Sequence, residues 1–178
     1  TFTIVEDDSY FYLQHRADAP DAPLPGLDGL GPSFLSHDTD GRVLRLDSFS
    51  KVLAPGFRIG WLTGSPELVK RYDALAYAGS QWGCTISMCV LAKLLNIPGW
   101  LERHVLSIQA SMRARAVALM AALDAHLDGL ATWRAPVAGM FLWLRISAGE
   151  CALGDLGDGM REHGGVGIRG AVWAAGTE

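Results

Sequence analysis

The segment that most constrains this chain is residues 47–61, where two hydroxyls, a lysine and an arginine lie between two apolar runs. Residues 43–46 before the polar cluster and residues 59–63 after it have the composition of short β-strands. A Pro-Gly pair breaks the chain between them. The pattern predicts that Lys51 lies on a loop or tight turn just past a buried strand, which is where α/β folds build their sites.

The side chains in this segment suit a reactive amine beside an anion. A partly desolvated Lys51 would lose its proton more easily and could act as a nucleophile. Ser48 and Ser50 offer hydroxyl donors, and Arg58 offers the two-pronged donor that phosphate favours. The alternative is an ordinary solvated lysine near a structural arginine, because most lysines and arginines lie at the surface.

A longer pattern favours the functional interpretation. The order Ser-x-Ser-Lys, six residues, Arg, one residue and Gly runs from Ser48 to Gly60. It resembles the lysine segment of class I aminotransferases that use pyridoxal 5′-phosphate (PLP). The resemblance implies that Lys51 forms a Schiff base with PLP, and that Ser48, Ser50 and Arg58 anchor its phosphate.

The N-terminal residues carry a second part of the resemblance. Residues 1–5 have the composition of a buried strand, and the three acids that follow predict either a solvated turn or one carboxylate pointing into a site. The run EDDSYFYLQ resembles EDDPYYFLQ of the kynurenine/2-aminoadipate and fungal aromatic amino-acid aminotransferases. The resemblance implies that Asp7 holds the pyridine nitrogen and Tyr10 the ring hydroxyl. Ser9 stands where that group has proline.

The middle of the chain predicts helices joined by irregular segments. The Pro- and Gly-rich residues 15–30 predict a surface insertion. Ser-Pro-Glu at 65–67 is a helix start, and an apolar run predicts a buried helix over 85–96. Apolar residues at steps of three, four or seven predict a helix over 101–127, about 40 Å long. Its off-stripe charges are predicted to face solvent: Glu102, Arg103, Arg113 and Arg115.

The C-terminal part predicts a small lobe. Residues 132–134 and 139–146 are typical of paired strands. The run Pro-x-Ala-Gly-Met-Phe-Leu-Trp at 136–143 resembles the small-domain strand that borders the family's substrate pocket. Phe141 is therefore expected either to contact substrate or to pack in the lobe. A short helix over 155–163 and a strand over 166–168 are predicted. Arg169 is not in the context of the arginine that clamps the substrate carboxylate in the family.

Composition excludes several classes of partner. The net charge of −4 gives no reason to expect nucleic acid or an anionic membrane. Three cysteines without metal-ligand spacing predict neither a disulfide framework nor a metal site. No apolar run is long enough to span a membrane. We expect an intracellular, cytoplasmic location, with a mitochondrial one left open, and a chain cut from a longer protein, because it begins with threonine inside an expected strand.

These observations together predict an α/β fold. The resemblance implies that residues 1–98 form part of the PLP-binding large domain, with a mixed, mostly parallel sheet. It also implies that residues 99–127 form a connecting helix and residues 128–178 an incomplete small α+β domain. The resemblance implies transamination between an aromatic or 2-aminoadipate-like amino acid and a 2-oxo acid by a homodimer. The alternatives are another PLP reaction, such as β-elimination or ring closure, and a non-catalytic remnant. We expect no turnover by this chain alone, because the family's N-terminal half is absent from it.

Overall fold

The computed structural model describes residues 2–147 and residue 162. Three single-turn 3-10 segments lie at Phe11–Leu13, Leu35–His37 and Pro55–Phe57. The strands and helices in chain order are β1 (Ile4–Asp7), β2 (Val43–Ser48), α1 (Phe49–Val52), β3 (Gly60–Thr63), α2 (Pro66–Ala78), α3 (Thr85–Leu95), α4 (Trp100–Leu127), β4 (Ala131–Trp133) and β5 (Leu144–Ile146). The predicted helix over 155–163, apart from residue 162, and the predicted strand over 166–168 lie outside the described residues, as does Arg169.

The site is organised by a three-stranded sheet in the order β1-β2-β3. β1 runs parallel to β2, with Asp7 opposite Leu46, and β3 runs antiparallel, with Gly60 opposite Ser48. The α/β class is therefore confirmed, and this sheet contains one parallel and one antiparallel ladder. Because β1 and β2 are parallel, their carboxyl ends meet at one edge of the sheet.

The first strand differs from its prediction. It begins at Ile4, and Val5 is 59% exposed, whereas Glu6 is buried. Successive side chains of a strand point to opposite faces, so the face that carries Glu6 is the covered one. The prediction of a buried apolar strand is therefore wrong, because the apolar Val5 is exposed and the charged Glu6 is buried.

Helices α2 and α3 begin where the sequence predicted. Pro66 occupies the first turn of α2, and Thr85 begins α3. The predicted burial of α3 is wrong, since Ile86 is 77% exposed and Leu91 is its buried residue. An apolar composition shows only that a helix lacks a polar face, and burial also needs packing partners. Among the described elements, the main neighbour of α3 is α4.

Helix α4 has the predicted length, with 28 residues against an expected 27 or so. Val105 and Leu123 of its apolar stripe are buried. The prediction that Arg113 faces solvent is wrong, because its guanidinium donates to the carbonyl oxygens of His15 (2.6 Å) and Pro20 (3.1 Å). Irregular, proline-rich backbone leaves carbonyls without partners, and the five N–H groups of an arginine can satisfy several.

Gln109, in the first half of α4, is fully buried. Its amide accepts from the Gly26 N–H (2.8 Å) and donates to the carbonyl oxygens of Gly26 (3.1 Å) and Tyr12 (3.2 Å). Gln109 and Arg113 thus fasten residues 15–30 to the helix. The segment is irregular, as predicted, but it is held in place rather than loosely attached.

The predicted strand pair is present in shortened form. β4 and β5 are antiparallel, with Thr132 opposite Arg145. Residues 139–143 are not in a strand, and Ala138 instead forms an isolated bridge with Gln14. Gly139 has φ of 83°, a left-handed conformation that ends the extended path. Within the described residues, no helix has the length and hydropathy to cross a membrane.

Candidate functional site

Lys51 lies at the sheet edge where β1 and β2 end, within the four-residue helix α1 that follows β2 directly. The prediction was a loop or tight turn, and the structure has one helical turn. The difference comes from Ser48, whose Oγ caps the helix by accepting from the Ser50 N–H (3.1 Å). The Phe49 N–H donates to the Ile59 carbonyl (3.0 Å), which ties the turn to the start of β3.

One aromatic ring lies beside the lysine, and a second ring packs against the first. Lys51 Nζ is 5.5 Å from the centroid of the Tyr10 ring, within cation–π range. The Tyr10 ring meets the Phe141 ring at 6.1 Å in an edge-to-face arrangement. The structure therefore brings together three residues singled out separately from the sequence. The expected partial desolvation of Lys51 is not found, because the described elements leave its side chain exposed.

Arg58 reaches the same turn through an unusual backbone conformation. It has φ of 52° and ψ of 40°, which a non-glycine residue adopts at a cost of about 1–3 kcal/mol. Its Nη1 donates to Ser50 Oγ (3.4 Å) and to the Pro55 carbonyl oxygen (3.2 Å). The left-handed turn thus directs the guanidinium back toward Ser50 of α1.

Asp7 is the last residue of β1 and lies at the same edge as Ser48. It is exposed and accepts a hydrogen bond from Ser9 Oγ at 3.4 Å. Its carboxylate makes no other hydrogen bond within the described residues. Asp7 therefore shares the edge with Lys51, but the two side chains make no direct ion pair.

A buried charged network, which we define as Glu6, Arg45 and Asp47, lies beneath this edge. The Arg45 guanidinium donates to both carboxylate oxygens of Asp47 (2.8 and 2.9 Å) and to Glu6 (3.3 Å). The hydrogen bonds to Asp47 are the largest cause raising the pKa of Arg45. The prediction of a solvated acidic turn is wrong for Glu6, because Arg45 lies opposite it in the parallel register.

The charged network also fixes neighbouring segments. Glu6 accepts from the backbone N–H groups of Phe34 (2.9 Å) and Leu35 (3.1 Å), and the Arg45 guanidinium lies 4.0 Å over the Phe11 ring. Burial raises the pKa of Asp8, which follows directly after the strand. The sequence did carry a signal for this network: Arg45 and Asp47 alternate with apolar residues in one strand, which places them on the same face as buried Val43.

The donors at the edge fit a phosphorylated pyridine. Ser48 Oγ and Ser50 Oγ each accept one hydrogen bond, so each hydroxyl proton can still be donated. Arg58 keeps further N–H groups for an anion, and Lys51 supplies an exposed amine. Asp7 and Tyr10 supply the carboxylate and phenol. No group of three or more His, Cys, Asp or Glu residues that could hold a metal occurs in the described part of the chain.

The chain is similar in sequence to known aminotransferases. The family model described as aminotransferase class I and II matches residues 14–169. The mitochondrial kynurenine/alpha-aminoadipate aminotransferase of Bos taurus is 41% identical over 149 residues, which cover 82% of this chain and 32% of the relative. The L-tyrosine:2-oxoglutarate aminotransferase atrD of Tapinella panuoides is 37% identical over 156 residues, covering 80% of this chain and 30% of the relative.

A solved structure agrees in fold. The Pyrococcus horikoshii kynurenine aminotransferase, determined with PMP, kynurenine and its product, superposes with a TM-score of 0.72 at 28% identity, covering 95% of this chain and 39% of that one. The chain thus spans about a third of the length of the curated relatives it matches. The family predicted from the lysine segment is confirmed: this chain belongs to the class I and II aminotransferases.

Proposed function

We propose that this chain carries the cofactor-binding lysine site of a PLP-dependent aminotransferase, with Lys51 Nζ as the group that binds the cofactor covalently. The observation that carries the proposal is the convergence at one sheet edge of Lys51, Tyr10 at 5.5 Å, and the linked trio of Ser48, Ser50 and Arg58. The PMP present in the Pyrococcus horikoshii structure supports this choice of cofactor.

The phosphate is held by Ser48, Ser50 and Arg58. The two hydroxyls each keep a proton to donate, and the guanidinium supplies paired N–H donors with a fixed positive charge. The left-handed backbone at Arg58 gives the arginine this direction, so its strain has a functional explanation.

The ring is held by Asp7 and Tyr10. The Asp7 carboxylate would keep a proton on the pyridine nitrogen, and the Tyr10 hydroxyl would donate to the ring oxygen. PLP, when bound, supplies the electron sink that stabilises negative charge at the substrate α-carbon. Both residues lie near the carboxyl end of β1, beside the lysine-bearing turn.

Lys51 has two tasks. Its amine would hold the cofactor covalently at rest. When free, the same amine would take the proton from the substrate α-carbon as general base and deliver it to the cofactor's carbonyl carbon as general acid. The exposed position of Lys51 leaves Nζ free to move between these tasks.

The substrates are an aromatic or 2-aminoadipate-like amino acid and a 2-oxo acid. The name of the bovine relative includes alpha-aminoadipate, and that of the Tapinella panuoides relative includes L-tyrosine and 2-oxoglutarate, which supports these substrates. Phe141, 70% exposed and in contact with Tyr10, offers an apolar surface for the substrate side chain.

Several broader properties belong to the same proposal. Residues 1–98, 99–127 and 128–178 divide into large-domain, connecting-helix and small-domain parts, and the longer enzyme is a homodimer. The proposed location is a reducing compartment such as the cytoplasm, in which exposed cysteines such as Cys84 and Cys89 stay unpaired.

The test is a titration of the purified chain with PLP, followed by the absorbance of the lysine-bound cofactor. We expect the band in the wild type and in Lys93→Ala, which removes an exposed lysine of α3, and no band in Lys51→Ala. A band that survives Lys51→Ala would show that Lys51 is not the attachment site. No band in any variant would favour a non-catalytic remnant.

A further inference from the structure

The lysine-bearing helix α1 cannot hold its shape by its own hydrogen bonds. It has four residues, and a single turn is unstable in isolation because nucleation costs more than one hydrogen bond returns. Its front is fastened by the Ser48 cap and by the bond from Phe49 to Ile59. The carbonyls at the rear have no partner within the helix and need one from elsewhere.

One of these carbonyls is bound by α4. His104 Nε2 lies 2.8 Å from the carbonyl oxygen of Val52, the residue after Lys51. A carbonyl oxygen can only accept, so Nε2 carries the proton and donates it. Val52 is 4% exposed, so the residue is packed against the body of the protein as well as hydrogen-bonded to it.

The orientation of the His104 imidazole is fixed by a neighbouring aromatic ring. Trp100, one turn earlier on α4, stacks on His104 with ring centroids 4.9 Å apart and an interplanar angle of 9°. This stacking limits rotation of the imidazole and keeps Nε2 directed at the Val52 carbonyl. Helix α4 is long and well anchored through Gln109, so it offers a rigid support.

From this geometry we infer that His104 is a positioning residue, which holds the turn that presents Lys51 beside Tyr10 and thereby supports cofactor attachment. The inference rests on the proposed function of Lys51. It adds a residue that lies 52 positions from Val52 in sequence and forms no hydrogen bond with the proposed cofactor donors in the described structure. Its action is through the backbone of Val52 alone.

The first experiment compares His104→Phe, which keeps a ring for Trp100 but loses the donor, with His104→Gln, which keeps an N–H donor at similar reach. The Leu53 amide, which closes the turn by donating to Phe49 (2.8 Å), reports on the turn through hydrogen exchange. We expect the exchange rate of this amide to rise about three- to tenfold in His104→Phe, because that factor corresponds to the loss of one net hydrogen bond. The rate should return toward the wild-type value in His104→Gln. His126→Phe, at the exposed end of α4, is the matched control.

The second experiment measures PLP affinity in the same variants. We expect about a three- to tenfold loss in His104→Phe, with recovery in His104→Gln and no change in the control. Unchanged exchange in His104→Phe overturns the positioning contact, and changed exchange with unchanged affinity overturns its role in cofactor attachment. A wild type that binds no PLP overturns the proposed function instead, while the exchange experiment still decides whether His104 holds the turn.

Discussion

Two regions of the molecule reverse the usual relation between polarity and burial. The charged network of Glu6, Arg45 and Asp47 is buried, whereas the apolar helix α3 is largely exposed. The three charged residues are at most 9% exposed, whereas Ile86 of α3 is 77% exposed. The network is satisfied by groups within this chain: Arg45 joins both carboxylates, and Glu6 also binds two backbone N–H groups. Helix α3 has its main described packing partner, α4, on one side.

This contrast shows that burial follows the partners available to a residue more than its polarity. A buried charge is tolerated when it is paired and hydrogen-bonded, and the parallel register supplies that pairing. An apolar helix is covered only as far as other elements reach it. The chain spans about a third of the length of its curated relatives. Within the described residues, the charged network finds its partners, whereas much of the surface of α3 does not.

The largest effect should come from breaking the network at its centre. Arg45→Met leaves two buried carboxylates without their cation, and we expect a loss of about 3–5 kcal/mol in the free energy of unfolding, measured with urea. Arg71→Met, which removes the exposed partner of Glu67, is the matched control and should have no measurable effect. Equal stability of the two variants would show that the network does not hold the sheet.

The apolar side of the comparison is tested within one helix. Leu91 is 4% exposed and Ile86 is 77% exposed, so the two residues share α3 but not its packing. We expect Leu91→Ala to lower the free energy of unfolding by about 2–4 kcal/mol, and Ile86→Ala by less than about 0.5 kcal/mol. A large loss from Ile86→Ala would mean that this face of α3 is covered in solution.

The smallest effect concerns a buried titratable group outside the network. His15 is 2% exposed, and burial lowers its pKa below the usual 6.5. As the pH falls through 6.5, the unfolded chain binds a proton that folded His15 does not, so stability should fall by at most about 1.4 kcal/mol per pH unit. Urea unfolding between pH 7.5 and 5.5 should show a shallower pH dependence in His15→Gln. Identical slopes in both proteins would argue against a buried neutral histidine.

Sequence reasoning recovered the parts of the fold that depend on local signals. Pro66 and the residues around it mark the start of α2, and the spacing of apolar residues gave α4 nearly its observed length. The lysine segment predicted both the strand before Lys51 and the family. Caps, periodicity and motif spacing are properties of neighbouring residues, so they can be read along the chain.

The errors share one physical cause. Polarity alone places Glu6 and Arg113 in solvent and the apolar α3 in the core. Their actual surroundings depend on residues that are far away in sequence. Glu6 meets Arg45 across the sheet, and Arg113 meets backbone carbonyls about ninety residues earlier. The same holds for His104 and Val52, whose contact no local pattern indicated. Long-range pairing of polar groups is what the sequence alone could not provide.

The central claim is that Lys51 is the residue to which the cofactor binds, and chemical trapping tests it most directly. The chain has three lysines, Lys51, Lys70 and Lys93, so borohydride reduction after incubation with PLP, followed by peptide mass spectrometry, can assign the attachment site. We predict that the reduced cofactor is found on Lys51 at PLP concentrations that leave Lys70 and Lys93 unlabelled. Equal labelling of all three lysines, or no labelling of Lys51, would contradict the account.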